Sequence, residues 1–176
     1  MKKILILVLA GVFLTGFFLV LSATAKKDNA PIGTEIGNTA TDFSLKDVNE
    51  KIHDLKDVKG KKAILIVFWA TWCPYCVNEI PDLIKIQQKY DTKDLEVWAV
   101  NIRESKEKVV SFSKKRAINY TVLLDSSGLV ANAYKISGIP ANIVIDKKGI
   151  IRSTGQLPNN YEEFFDGLIK ESAAKK

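Results

Sequence analysis

The chain has 176 residues, 47% hydrophobic and 26% charged, with a formal net charge of +6. That balance fits one globular domain plus a targeting segment and excludes disordered, collagen-like and low-complexity classes. Two cysteines (Cys73, Cys76) and one histidine (His53) are too few for a multi-disulfide scaffold or a four-ligand zinc site. Val77 follows Cys76 where a c-type haem attachment needs histidine.

From Ile4 to Leu21 no residue is charged. As a helix at 1.5 Å per residue this run reaches about 27 Å, enough to cross a hydrocarbon core. It also exceeds the usual apolar core of a secretory signal. Residues 1–25 are therefore expected to be an uncleaved signal-anchor, with residues 4–21 in the membrane and the amino end cytoplasmic. Ala23-Thr24-Ala25 supports the competing reading, a cleaved signal peptide. Either way residues 26–176 are expected outside the cytoplasm. They form the soluble domain of a single-pass cell-membrane protein, or a secreted or periplasmic domain after cleavage. Residues 26–40, punctuated by Pro31, Gly33 and Gly37, read as a linker, and the folded domain is expected over 41–172.

Thr41–Leu45 alternates weakly and is expected to pair with Lys51–Leu55 across the Asp47–Glu50 turn. Ala63–Ala70 is continuously apolar and rich in β-branched and aromatic residues, the pattern of a strand buried on both faces. A helix is expected over Pro74–Tyr90, then a buried strand over Leu95–Asn101 and a helix over Ser105–Arg116 with Ser105 as its cap. Thr121–Leu124 reads as a short strand, and Leu129–Lys135 as a brief helix. Asn142–Ile145 and Ile150–Thr154 flank a hairpin turn, and Tyr161–Glu171 forms a last amphipathic helix. The order implies one α/β domain with a mixed sheet covered by helices on both faces. Basic residues interleave with acids, as in Arg103-Glu104-Ser105-Lys106-Glu107-Lys108, which reads as a solvated helix face. No nucleic-acid partner is expected.

Trp72-Cys73-Pro74-Tyr75-Cys76 joins the buried strand to the following helix. Cys73 then lies at or beside the N-cap, with Pro74 in the first turn where its missing N–H costs nothing. Backbone N–H groups at a helix start stabilise an anion, so Cys73 is expected to have a lowered pKa and to act as nucleophile. Cys76 lies one turn deeper on the same face, placed to resolve a mixed disulfide on Cys73. A purely structural disulfide would close so small a loop that it removes little unfolded-chain entropy. Half of a zinc site lacks its second ligand pair, so no metal is expected.

The stretch Phe68-Trp69-Ala70-Thr71-Trp72-Cys73-Pro74-Tyr75-Cys76, with Glu79-Ile80-Pro81, resembles the thioredoxin superfamily. More narrowly it resembles the membrane-tethered TlpA/ResA-like thiol-disulfide oxidoreductases. Asp42-Phe43-Ser44-Leu45, Leu123-Leu124-Asp125, Gly138-Ile139-Pro140 and Val144 to Gly149 extend the resemblance over about Ile36 to Ile169. It implies a thioredoxin-like fold with an N-terminal β-hairpin and a central helix-strand insertion. Cys73 matches the attacking cysteine, Cys76 the resolving one, and Pro140 the cis-proline facing them. Ile139 would offer its backbone to an extended substrate, with Trp72, Pro74 and Tyr75 as further substrate contacts and Trp72 shielding the cysteines. Glu79 matches an acid characteristic of ResA-like members. Three residues after Cys76 on one helix, a carboxyl with a raised pKa can exchange a proton with the resolving thiol. In thioredoxin an aspartate six positions before the first cysteine does related work; here that position is Val67.

The resemblance implies a monomeric enzyme without cofactor that reduces disulfide-bearing proteins, with apocytochrome c the leading client. Electrons would come from a membrane thiol relay of the CcdA or DsbD kind. Pro74-Tyr75 replaces the Glu-Pro of ResA-like proteins, and Ala141-Asn142 follows Pro140 where Thr-Thr is commoner. Direction of transfer therefore stays open, a DsbA-like oxidant being the alternative. A peroxiredoxin would want Thr three before its nucleophile, whereas Thr71 is two before Cys73. A non-catalytic binding module on the same scaffold is the reading from another class. Trp69 and Trp98 are expected in the core, and His53 is assigned no role.

Overall fold

A computed structural model of the chain describes residues 30–173 apart from 91 and 93. The expected signal-anchor lies outside the described residues. Among the described residues no helix is long and apolar enough to cross a membrane.

The architecture grows from the apolar run that follows Lys62. Ala63–Trp69 forms strand β5, and all seven residues are buried because both faces of the strand are covered. Its odd-numbered side chains, Ala63, Leu65, Val67 and Trp69, join one core cluster. Ile64, Ile66 and Phe68 join the other, as alternation along a strand requires. Strand β5 is the centre of a five-stranded sheet in the order β7–β6–β5–β8–β9. Strands β6 (Leu95–Ile102) and β7 (Thr121–Asp125) run parallel to it, while β8 (Ala141–Ile145) and β9 (Ile151–Gly155) form an antiparallel hairpin.

Helices α2 (Pro74–Lys89), α3 (Lys106–Lys115) and α5 (Tyr161–Ala173) bring Leu83, Ile86, Val109 and Phe165 to the first cluster. Helices α1 (Leu55–Val58) and α4 (Leu129–Ala133) bring Leu55, Val130 and Ala131 to the second. Each large side chain buried this fully contributes about 1.5–3 kcal/mol. Strands β3 (Ser44–Lys46) and β4 (Ile52–Asp54) pair antiparallel as the N-terminal hairpin, and α3–β7 is the insertion that extends the sheet beyond β6. This is a thioredoxin-like α/β fold with helices on both faces. Trp69 and Trp98 are core residues, 3% and 1% exposed.

The structure differs from the sequence expectations at three places. Residues 30–40, read as linker, carry the short parallel strands β1 (Ile32–Gly33) and β2 (Thr39–Ala40). They are tied to the β8–β9 turn by bonds from Gly37 N–H to Ile151 O and from Ala40 N–H to Gly149 O. Composition favoured a linker because turn residues dominate the stretch, but the open edge of β9 supplied partners. His53 has a partner after all: its Nε2 lies 3.0 Å from Asp47 Oδ2, and its ring stands edge-on to Trp98. Glu104, read as part of a solvated face, precedes α3 and is buried at 8% exposure.

Candidate active site

Strand β5 ends at Trp69 and the chain turns through Ala70, Thr71 and Trp72 to Cys73, the N-cap of α2. An N-cap side chain accepts a hydrogen bond from the first turn of its helix. Here the Cys73 sulfur does so, 3.2 Å from the Cys76 amide. Negative charge on that sulfur therefore meets an N–H group and the positive end of the helix dipole. Pro74 occupies the first turn without leaving a donor unused. Cys73 and Cys76 are joined by a disulfide, with Cα atoms 5.3 Å apart, and both are 3% exposed.

The peptide between Ile139 and Pro140 is cis, and the Ile139 carbonyl oxygen lies 3.6 Å from the Cys73 sulfur. Trp72 is 67% exposed and Tyr75 74%. Both cysteines belong to the core cluster that includes Trp69 and Val67. An open groove of about 930 Å³ runs from Tyr75 and Glu79 past Ile139 and Pro140 to Leu157 and Tyr161.

Glu79 is half-buried, and Asn142 Nδ2 lies 3.3 Å from each of its carboxylate oxygens. Burial raises the Glu79 pKa, the Asn142 hydrogen bond opposes that, and Asp82 adds a repulsion that raises it further. The Tyr120 phenol is pushed up by burial and then by the neighbouring Glu79. Val67 is 1% exposed and pairs across the sheet with Asn142. The polar group beneath the helix thus comes from β8 rather than from β5.

Sequence reasoning missed the residue that holds the loop ahead of Cys73. Glu104 accepts bonds from Thr71 N–H (2.7 Å), Thr71 Oγ1 (2.6 Å) and Asn101 Nδ2 (2.8 Å), and pairs with Lys108 Nζ (2.6 Å). Burial would raise this carboxyl, but Lys108, Thr71 and Asn101 outweigh it and hold the pKa down at about 2. The trace of this in the sequence is Lys108, the third residue of α3, where a capping box carries Glu or Gln. Lys108 serves Glu104, while Ser105 caps α3 alone.

A cysteine pair at a helix start, facing a cis-proline loop on this sheet, defines a protein thiol-disulfide oxidoreductase of the thioredoxin type. Residues 36–154 match the AhpC/TSA family, and the chain belongs to it, alongside ResA-like thiol-disulfide oxidoreductases. It is 36% identical over 152 residues to the thioredoxin-like protein YneN of Bacillus subtilis, covering 85% of this chain and 84% of that one. Thiol-disulfide oxidoreductase ResA of the same organism is 34% identical over 136 residues, 76% of this chain and 75% of that one. Among solved structures, a thiol:disulfide interchange protein of the thioredoxin family from Chlorobium tepidum superposes with a TM-score of 0.64 at 29% identity. That match covers 76% of this chain and 94% of the other.

Proposed function

We propose that this chain is an extracytoplasmic reductant of protein disulfides, held at the membrane through residues 4–21. The observation that carries the exchange chemistry is the Cys73 sulfur at the N-cap of α2 with the Cys76 amide bonded to it. In the reduced protein the Cys73 thiolate attacks one sulfur of a client disulfide. A mixed disulfide forms, and the other client sulfur leaves as thiolate and takes a proton. Cys76 then passes its proton to Glu79 and attacks the Cys73 sulfur. The second client thiolate is released and the Cys73–Cys76 disulfide forms, so two electrons have moved to the client. In that cycle the Cys73–Cys76 disulfide is the product. A dithiol relay of the CcdA or DsbD kind reduces it again. Such a supply is needed because disulfides persist outside the cytoplasm. The groove beside Ile139 and Pro140, with exposed Tyr75 at its rim and Trp72 nearby in sequence, suits an extended cysteine-bearing segment such as that of apocytochrome c.

Trapping tests this reading. Cys76→Ser should hold the client as a mixed disulfide on Cys73 in membranes of the native host, and reductant should release it. Recovery of cytochrome c precursors would support the proposed client; other proteins, with none of these, would replace it. Equilibration with a glutathione buffer decides the direction, since a reductant requires a potential well below that of its compartment. A potential above that poise would make the protein an oxidant of the DsbA kind.

A further inference from the structure

Asn142 stands two residues after Pro140 on β8, 2% exposed, directly across the sheet from Val67. Cross-strand partners point to the same face, and the Val67 face is the one covered by α2. The Asn142 amide therefore reaches the helix from below and meets Glu79, one turn beyond Cys76. Its Nδ2 bonds both carboxylate oxygens at 3.3 Å. Its Oδ1 is buried and accepts no hydrogen bond among the described residues.

Buried acceptors are normally partnered, and an unpartnered one calls for an explanation. A carboxylate has no hydrogen to give, whereas a carboxylic acid has one. We propose that Asn142 is a positioning residue for the proton step, its amide holding the Glu79 carboxyl in both protonation states. With Glu79 ionised, Nδ2 donates to the carboxylate. When Glu79 takes the proton from Cys76, its new O–H donates to Oδ1 while Nδ2 stays on the other oxygen. The proton thus moves to a carboxyl whose acid form already has an acceptor waiting. This inference rests on the Glu79 step proposed above.

The other groups around Glu79 do not supply the same bonds. Asp82 on α2 repels it, and the Tyr120 phenol ahead of β7 faces it. Tyr161 at the start of α5 lines the shared groove, as do Glu35 and Lys135, which lie 3.9 Å apart as an ion pair.

The test mixes fully reduced protein with an aromatic disulfide, 5,5′-dithiobis(2-nitrobenzoate), and follows thionitrobenzoate release against pH. A fast phase reports attack by Cys73, and a second phase reports resolution by Cys76. The bond from Nδ2 to the ionised form is charge-assisted and the stronger of the two. Asn142→Leu should therefore raise the midpoint of the second phase by ~1 pH unit and slow it about tenfold at neutral pH. The fast phase should not move. Asn142→Thr, which keeps a donor and an acceptor, should fall between the two, and it serves as the variant if the leucine form does not fold. Glu79→Gln should remove the inflection, and adding Asn142→Leu to it should shift nothing further. An unmoved midpoint in both Asn142 variants, with the inflection lost in Glu79→Gln, overturns the role of Asn142 and leaves that of Glu79. A profile unchanged in Glu79→Gln overturns both. An equal effect of Asn142→Leu with and without Glu79 marks the residue as structural only.

Discussion

Cys73→Ser is expected to lower disulfide reduction by at least about 1000-fold, equivalent to about 4 kcal/mol of barrier, while Cys76→Ser leaves the first attack nearly intact. The two sulfurs are equally buried at 3% exposure, so exposure does not separate their roles. Position in the helix does. Cys73 is the N-cap, and its sulfur is the acceptor for the Cys76 amide, so charge forming on it is stabilised where it forms. Cys76 is inside the first turn, and its own amide is spent on its neighbour. Serine at 73 would make the same cap bond, so the helix and its stability should change little. It lacks the thiolate, which is the nucleophile in exchange. Iodoacetamide labelling of the reduced protein and insulin reduction provide the two readings. Rapid labelling at 73, slow labelling at 76, and activity lost in Cys73→Ser with an unchanged melting temperature are the expected set. Activity retained in Cys73→Ser would mean that the attacking sulfur has been misassigned. Absence of insulin reduction by the wild-type protein would leave a binding module with an incidental disulfide as the better reading.

The centre of the sheet was legible because β5 and β6 are buried on both faces. An uninterrupted run such as Ala63–Trp69, closed by a turn and a C-x-x-C, has few other ways to fold. The hairpin pairing of β3 with β4 and the cap at Ser105 were legible for local reasons, turn chemistry and N-cap preference. What stayed hidden depends on partners distant in sequence. The N-terminal stretch through Ala40 looks like linker until the backbone of β9 is placed beside it. His53 finds its partner across the hairpin turn, and in the sequence that pairing has no periodic signature. Glu104 sits in a run of alternating charge, and only the α2 crossover that lays β6 parallel to β5 brings Thr71 against it. In the sequence Asn142 reads only as a departure after Pro140. Its meaning required the register that sets it opposite Val67.

Glu104→Gln should destabilise the domain by about 2–4 kcal/mol at neutral pH, because three hydrogen bonds and an ion pair converge on one buried carboxylate. Glutamine keeps the shape and one acceptor oxygen. Its NH2 group must then face Thr71, Asn101 or Lys108, all of which donate in the native protein. Lys108 is 55% exposed and can turn to water, so most of the loss falls on Thr71 and Asn101. For a domain of this size the melting temperature should drop by about 5–15 °C. The pH dependence separates this cause from general disruption. Glu104 has its pKa depressed from 4.5 to about 2 in the fold. Its contribution is therefore present in full above the unfolded value and is lost as pH falls toward about 2, where the folded carboxylate protonates. Wild type and Glu104→Gln should differ most above pH 4.5 and converge on acidification, a comparison that cancels the acid sensitivity of Asp47 and Glu96, whose pKa values are also lowered. Because Thr71 lies two residues before Cys73, the same variant should loosen the N-cap and change the alkylation rate of Cys73, a link between a carboxylate on the β6–α3 connection and a sulfur on another element. Parallel melting curves for the two proteins from neutral pH to pH 2 would show that the Glu104 network holds nothing in place.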